Sequence, residues 1–110
     1  MSLNAGRRDK RIVIQRETEI SRNALNEPVL DWTQLANPWA DVIYGSGTER
    51  RSAAQTGGTQ AATFEVLKDS GTATLLMTDR ILFMGALWDI RGIAPIGNEG
   101  VRIDAVRQVP

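Results

Sequence analysis

Arg11–Gly47 reads RIVIQRETEISRNALNEPVLDWTQLANPWADVIYGSG, and its succession of short runs and breaks decides the fold class. The first run alternates Ile12 and Ile14 with Val13 and Gln15. β-Branched residues at a period of two predict a strand over Arg11–Glu17. Ser21–Pro28 is rich in Asn and ends in Pro, which predicts a hairpin loop or a longer turn. A second strand is expected over Pro28–Leu35, with Leu30 and Trp32 on one face. Asn37-Pro38 breaks that run, because the proline ring drives its predecessor out of the helical region. Alternation resumes at Trp39–Tyr44, with Ala40, Val42 and Tyr44 on one face. These two runs are either one bent strand or two short ones.

The remaining chain continues in the same style. Thr59–Leu67 predicts a strand with Phe64 and Val66 turned to the core. Asp69-Ser70-Gly71 is a turn, Arg80–Phe83 a short strand, and Met84-Gly85-Ala86 a hairpin turn. Leu87–Ile93 returns with Trp88 and Ile90 on one face. After the turn cluster Pro95–Gly100, Val101–Val109 places Val101, Ile103 and Ala105 on one side. Six or seven short strands at hairpin spacing predict an all-β chain, a small antiparallel β-barrel in preference to a sandwich, since an open sheet this small leaves edges exposed. The whole chain, 1–110, reads as one domain.

Gly45–Ala62 stands apart. It holds small and polar residues and no large apolar side chain. Ser46-Gly47-Thr48-Glu49 has capping-box spacing, so a short helix over about Gly47–Gln55 is expected, stopped by Gly57-Gly58. With no apolar face to bury, such a helix is marginal alone, and the segment is expected to be a long mobile loop in the isolated subunit. Loops beyond ~12–15 residues are uncommon without a function. Residues 1–10 form a second special region, a flexible basic arm. Arg7, Arg8, Lys10 and Arg11 are opposed only by Asp9, and can contact DNA phosphates or an acidic neighbouring subunit.

Composition narrows the chemistry. Thirteen Lys and Arg balance thirteen Asp and Glu, so no global bias draws the chain to nucleic acid. With no His and no Cys, Ser-His-Asp and Cys-His nucleophiles cannot be built, and a zinc site would have to use carboxylates alone. The aspartates are scattered over different predicted strands and turns. Gly45-x-Gly47 is followed by Arg50 where a dinucleotide loop needs Gly. No catalytic residue, metal site or cofactor is therefore expected. Absence of cysteine fits a reducing cytoplasmic origin. No apolar run approaches the ~20 residues of a membrane-spanning helix. Trp32, Trp39 and Trp88 sit beside aliphatic residues with no interleaved cations, which predicts packing rather than base stacking. A small OB-like or SH3-like nucleic-acid-binding barrel is the alternative function class.

The order of these motifs resembles the phage head-tail joining family, the small connector proteins of tailed bacteriophages. Arg11, Ile12, Ile14, Gln15 and Arg16 match its R-I-x-I-Q-R strand. Trp32, Trp39 and Ala40 match its W-x6-W-A pair. Ser46, Gly47 and Glu49 match its Ser-Gly-x-Glu loop. Thr63-Phe64-Glu65-Val66 is similar to the central strand. Arg80-Ile81, Gly85 and Trp88–Ile93 are similar to a later stretch. The chain departs from the family in its first loop, where Asn23-Ala24-Leu25-Asn26 replaces Asp-Gly.

The resemblance implies a head-completion or stopper protein, a small β-barrel assembling with itself as a ring in the virion after synthesis in the host cytoplasm. It implies portal-adaptor connector proteins and a tail-completion protein as neighbours, and packaged DNA, contacted without sequence preference, in the channel. Ser46, Gly47, Thr48, Glu49, Arg50 and Arg51 are then the expected channel or assembly loop.

Overall fold

The computed structural model describes residues 9–45 and 59–108. They form eight strands: β1 Lys10–Arg11, β2 Val13–Arg22, β3 Pro28–Ala36, β4 Trp39–Tyr44, β5 Thr59–Leu67, β6 Arg80–Phe83, β7 Ala86–Ile96 and β8 Gly100–Gln108. All pair antiparallel in one sheet of order β1-β4-β5-β8-β7-β6-β2-β3. The sheet curls into a half-barrel whose edge strands β1 and β3 do not pair with each other, so the expected barrel is met in part: the sheet is curved but not closed. Among the described residues there is no α-helix, only a 3-10 turn at Thr72–Thr74. The helix expected over Gly47–Gln55 lies outside the described residues.

The first two hairpin partners form one bent ribbon. β1 runs into β2 through Ile12 alone, and β3 into β4 through Asn37-Pro38. Lys10 faces Ala40, Arg11 faces Trp39, and the Ile12 amide donates to the Pro38 carbonyl at 3.1 Å. Beyond the bend, Ile14 faces Ala36 and the ladder continues to Arg22 and Pro28. The two runs that sequence left undecided are thus two strands around a two-residue bend. Val13–Gln15 also pair with β6, and β4 pairs with β5, so the ribbon contributes to both flanks of the curled sheet.

The period of two selects the core. Ile12, Ile14, Ala40, Phe64, Val66, Ile81, Trp88, Ile90, Ile103 and Ala105 line the concave face and are buried. Phe64 sits at the centre, with edge-to-face contacts to Phe83 at 5.7 Å and to Trp88 at 5.4 Å. Fully burying a side chain of this size contributes roughly 1.5–3 kcal/mol. Irregularities adjust the register: Leu35, Ile20 and Arg91 are each an extra residue on their strand. Such bulges bend a strand and increase its twist, which favours curling. The β6–β7 hairpin turns on Met84-Gly85, with φ of 50° and 76°, the left-handed pair a two-residue hairpin demands. Ala86 already belongs to β7.

Strand polarity gives the sheet two ends. One gathers Gly45, Thr59, the Met84-Gly85 turn and Gln108. The other gathers the 68–79 connection, the Gly97–Glu99 turn and the outer part of the β2–β3 hairpin.

Candidate assembly surfaces

At the first end, β4 and β5 mark where residues 46–58 leave and return. Tyr44 pairs with Ala62, and the Gly45 amide donates to the Ala61 carbonyl at 3.1 Å. Departure and return points therefore lie side by side. Ser46, Gly47, Thr48, Glu49, Arg50 and Arg51 all lie outside the described residues. The cavity at this end, about 450 Å³, is lined by Tyr44, Gln60, Phe83, Met84, Trp88 and Arg107. The buried Trp88 Nε1–H on its wall has no hydrogen-bond acceptor among the described residues.

Of the basic arm, Arg7 and Arg8 also lie outside the described residues. Lys10 and Arg11 form the short edge strand β1, facing Ala40 and Trp39 of β4. The Lys10 ammonium lies 3.3 Å from Asp9. The Arg11 Nε–H donates to the Asn37 carbonyl (2.8 Å) and Oδ1 (3.1 Å), and its guanidinium lies 5.2 Å from the Trp39 ring centroid. Arg11 is thus committed to holding the bend.

The tryptophans are packed, and against cations that their sequence neighbours do not supply. Arg80 lies over Trp32 at 3.9 Å, and Arg107 over Trp88 at 5.5 Å. Each indole has a cation over its ring, supplied from a strand distant in sequence. Trp88 is core; Trp39 is half exposed. A guanidinium on an indole face occupies the place a stacked base would take.

At the second end the structure shows what sequence reasoning missed. β2 does not stop at Glu17 but runs to Arg22, and with β3 it projects as an arm whose outer residues, Glu17–Leu30, are all exposed. Its tip is tightly built. Asn23 Oδ1 accepts the Leu25 amide at 2.9 Å and the Glu27 amide at 3.0 Å, and Arg22 donates to the Asn26 carbonyl at 2.9 Å. Asn26 takes the left-handed conformation that Asn tolerates, φ 61°. The result holds Leu25 outward, 78 % exposed. The signal was present in Thr18 and Ile20, but Glu17, Glu19 and Arg22 masked it.

The arm is anchored where it leaves the sheet. Arg16 donates from Nε to Asp79 Oδ1 and from Nη2 to Asp79 Oδ2, both at 2.9 Å, and from Nη2 to the Thr74 carbonyl at 2.7 Å. Asp79 is 3 % exposed and also accepts the Leu76 amide at 2.8 Å. Hydrogen bonding to Asp79 raises the Arg16 pKa above its ordinary value, against the opposing pull of desolvation. The preceding turn is held by Asp69, whose Oδ1 accepts the Gly71 and Thr72 amides at 2.8 Å. Among the described residues no three carboxylates gather as a metal site would require.

Similarity to known proteins agrees with this architecture. The solution structure of protein SF1141 from Shigella flexneri 2a superposes with a TM-score of 0.67 at 22% identity, covering 96% of both chains. A chain from the virion of a native gene transfer agent particle superposes with a TM-score of 0.58 at 20% identity, covering 92% of this chain and 94% of that one. No curated protein matches. The family model described as phage head completion protein matches residues 3–106, and the chain belongs to that family.

Proposed function

We propose that this protein is a structural component of a phage or prophage virion, a head-tail connector of the stopper type. Copies form a ring below the portal-adaptor complex, retain packaged DNA and offer the surface to which the tail-completion protein attaches. The match of residues 3–106 to the head completion family carries this reading. The side-by-side exit and return of residues 46–58 supports it, because every copy in a ring then presents that segment from the same end. Ser46, Gly47, Thr48, Glu49, Arg50 and Arg51 are the channel or assembly stretch, with Arg50 and Arg51 toward DNA phosphates or a neighbour's carboxylate. The basic arm meets the ring above or the next subunit through Arg7, Arg8 and Lys10, since Arg11 is engaged within its own subunit.

Co-sedimentation with DNA-filled, tailless heads tests the role. Stoichiometric incorporation with DNA retained is expected. Failure to bind competent heads, together with tight, salt-dependent binding of oligonucleotides, replaces the reading with a nucleic-acid-binding barrel. Deletion of Gly47–Gly58 is expected to leave the sheet folded while heads leak DNA or fail to join tails; normal infectivity of that deletion refutes the channel assignment.

A further inference from the structure

We infer that the β2–β3 arm is the contact between neighbouring copies: Leu25 at the arm tip of one subunit seats in the cavity between the 68–75 connection and the β7–β8 turn of the next. The inference deepens the ring reading above and rests on it.

Three observations converge. First, the tip is preorganised, so the two amides held by Asn23 and the carbonyl held by Arg22 need no ordering on docking, which removes much of the usual entropic cost. Exposing a large aliphatic side chain on so rigid a turn stabilises nothing in the lone subunit.

Second, the receiving cavity fits in size and chemistry. It measures about 190 Å³, on the scale of a single aliphatic side chain, and Leu75, Ile93, Ala94, Pro95 and Val101 line it. Lys68 is its one charged lining residue, and it has no ion-pair partner among the described residues. The arm from Glu17 to Asp31 carries Glu17, Glu19, Glu27 and Asp31 against Arg22 alone. An acidic arm thus approaches an apolar cavity bordered by a cation.

Third, the placement suits a ring and excludes self-insertion. Arg16 touches the Thr74 carbonyl, beside the cavity, but the strand then runs outward six residues to Arg22, roughly 20 Å at ~3.3 Å per residue. A subunit's own tip therefore points away from its own cavity. Tip and cavity are different surfaces of one subunit, as a head-to-tail contact requires, and such a contact makes a ring where the rotation closes. The larger cavity beside Trp88 lies at the other end.

The chain has no cysteine, which makes the test direct. Leu25→Cys and Ala94→Cys, both at exposed positions, are prepared separately, mixed, incorporated into DNA-filled heads and treated with a short bismaleimide. A cross-linked dimer is expected from the mixture and from neither variant alone. Incorporation without that cross-link, or a dimer from Leu25→Cys alone, overturns the contact and leaves the ring reading standing. Failure of the parent chain to incorporate overturns both. As a second readout, Leu25→Asp is expected to incorporate about tenfold less with unchanged thermal unfolding, as for a central interface anchor. Parent-level incorporation of Leu25→Asp also overturns the contact.

Discussion

Replacing Arg16 with Met tests whether the clamp at the root of the arm is a buried ion pair or a surface decoration. The substitution keeps an apolar stem but removes three donated hydrogen bonds, two to Asp79 and one to the Thr74 carbonyl. Asp79 would keep the Leu76 amide as its only partner among the described side-chain contacts. Removing one member of a buried ion pair costs ~3–5 kcal/mol. Water reaches this pair from the Arg16 side, whose side chain is 30% exposed, while that of Asp79 is 1% exposed. The lower end, about 3 kcal/mol, is therefore expected. At about 4 °C per kcal/mol for a domain of this size, the melting temperature falls by about 12 °C.

Urea unfolding followed by tryptophan fluorescence measures the change, with the midpoint shifted and the slope unchanged. Adding Asp79→Asn to the Arg16→Met variant removes the stranded charge, and a coupling of about 2 kcal/mol is expected in the double-mutant cycle. The Arg16 pKa is raised on folding, so its contribution is complete below the unfolded value and is lost only as pH rises through the higher, folded one. That window is strongly alkaline, and Arg16 itself therefore adds no pH dependence to the penalty near neutrality. An Arg16→Met variant within ~0.5 kcal/mol of the parent would refute the reasoning, since that is the range of an exposed pair.

Other substitutions probe the packing. Gly71→Ala places a Cβ 3.0 Å from the Ala36 Cβ and 3.1 Å from the Leu35 carbonyl oxygen, and a backbone oxygen cannot swing aside. A loss of ~1–3 kcal/mol in thermal unfolding is expected, and a neutral outcome would mean the turn does not pack on β3. Arg80→Met removes the cation 3.9 Å from the Trp32 ring centroid and the 2.8 Å bond to Gln15 Oε1. A loss of about 1 kcal/mol and a red-shifted emission are expected; unchanged emission and stability count against the contact. Phe64→Ala empties the centre of the core and should cost about 4 kcal/mol in urea unfolding, a large share of the ~5–15 kcal/mol typical of a domain. A loss under about 1 kcal/mol would show that the core does not depend on Phe64.

The inward residues were legible because strands advertise them. Phe64 with Val66, Trp88 with Ile90, and Val101 with Ile103 and Ala105 alternate without interruption, and the structure buries the members of each set. Pro28 and Asn37-Pro38 likewise announced where β3 starts and ends. The arm was hidden for the opposite reason. Its residues face solvent on both sides, so Glu17–Arg22 carries no period of burial to detect. The Arg–Trp pairs and the Arg16–Asp79 clamp join residues from separate strands, and no local spacing encodes them. Of the expected functional residues, Lys10 and Arg11 proved to be sheet residues because Arg11 finds its partners across the bend at Asn37. Arg7, Arg8 and Ser46–Arg51 were singled out on composition and family likeness, and they lie outside the described residues.

The continuity of the bent ribbon has a mechanical consequence. β1 passes into β2, and β3 into β4, almost without interruption, so a pull on the arm travels along the backbone into the body of the sheet. There Val13–Gln15 of β2 are laddered to β6 on the same strand that forms the arm, ahead of the bend. That ladder is loaded in shear, and its rungs resist together instead of opening one after another. A subunit pulled through its arm would meet that load in its strongest direction.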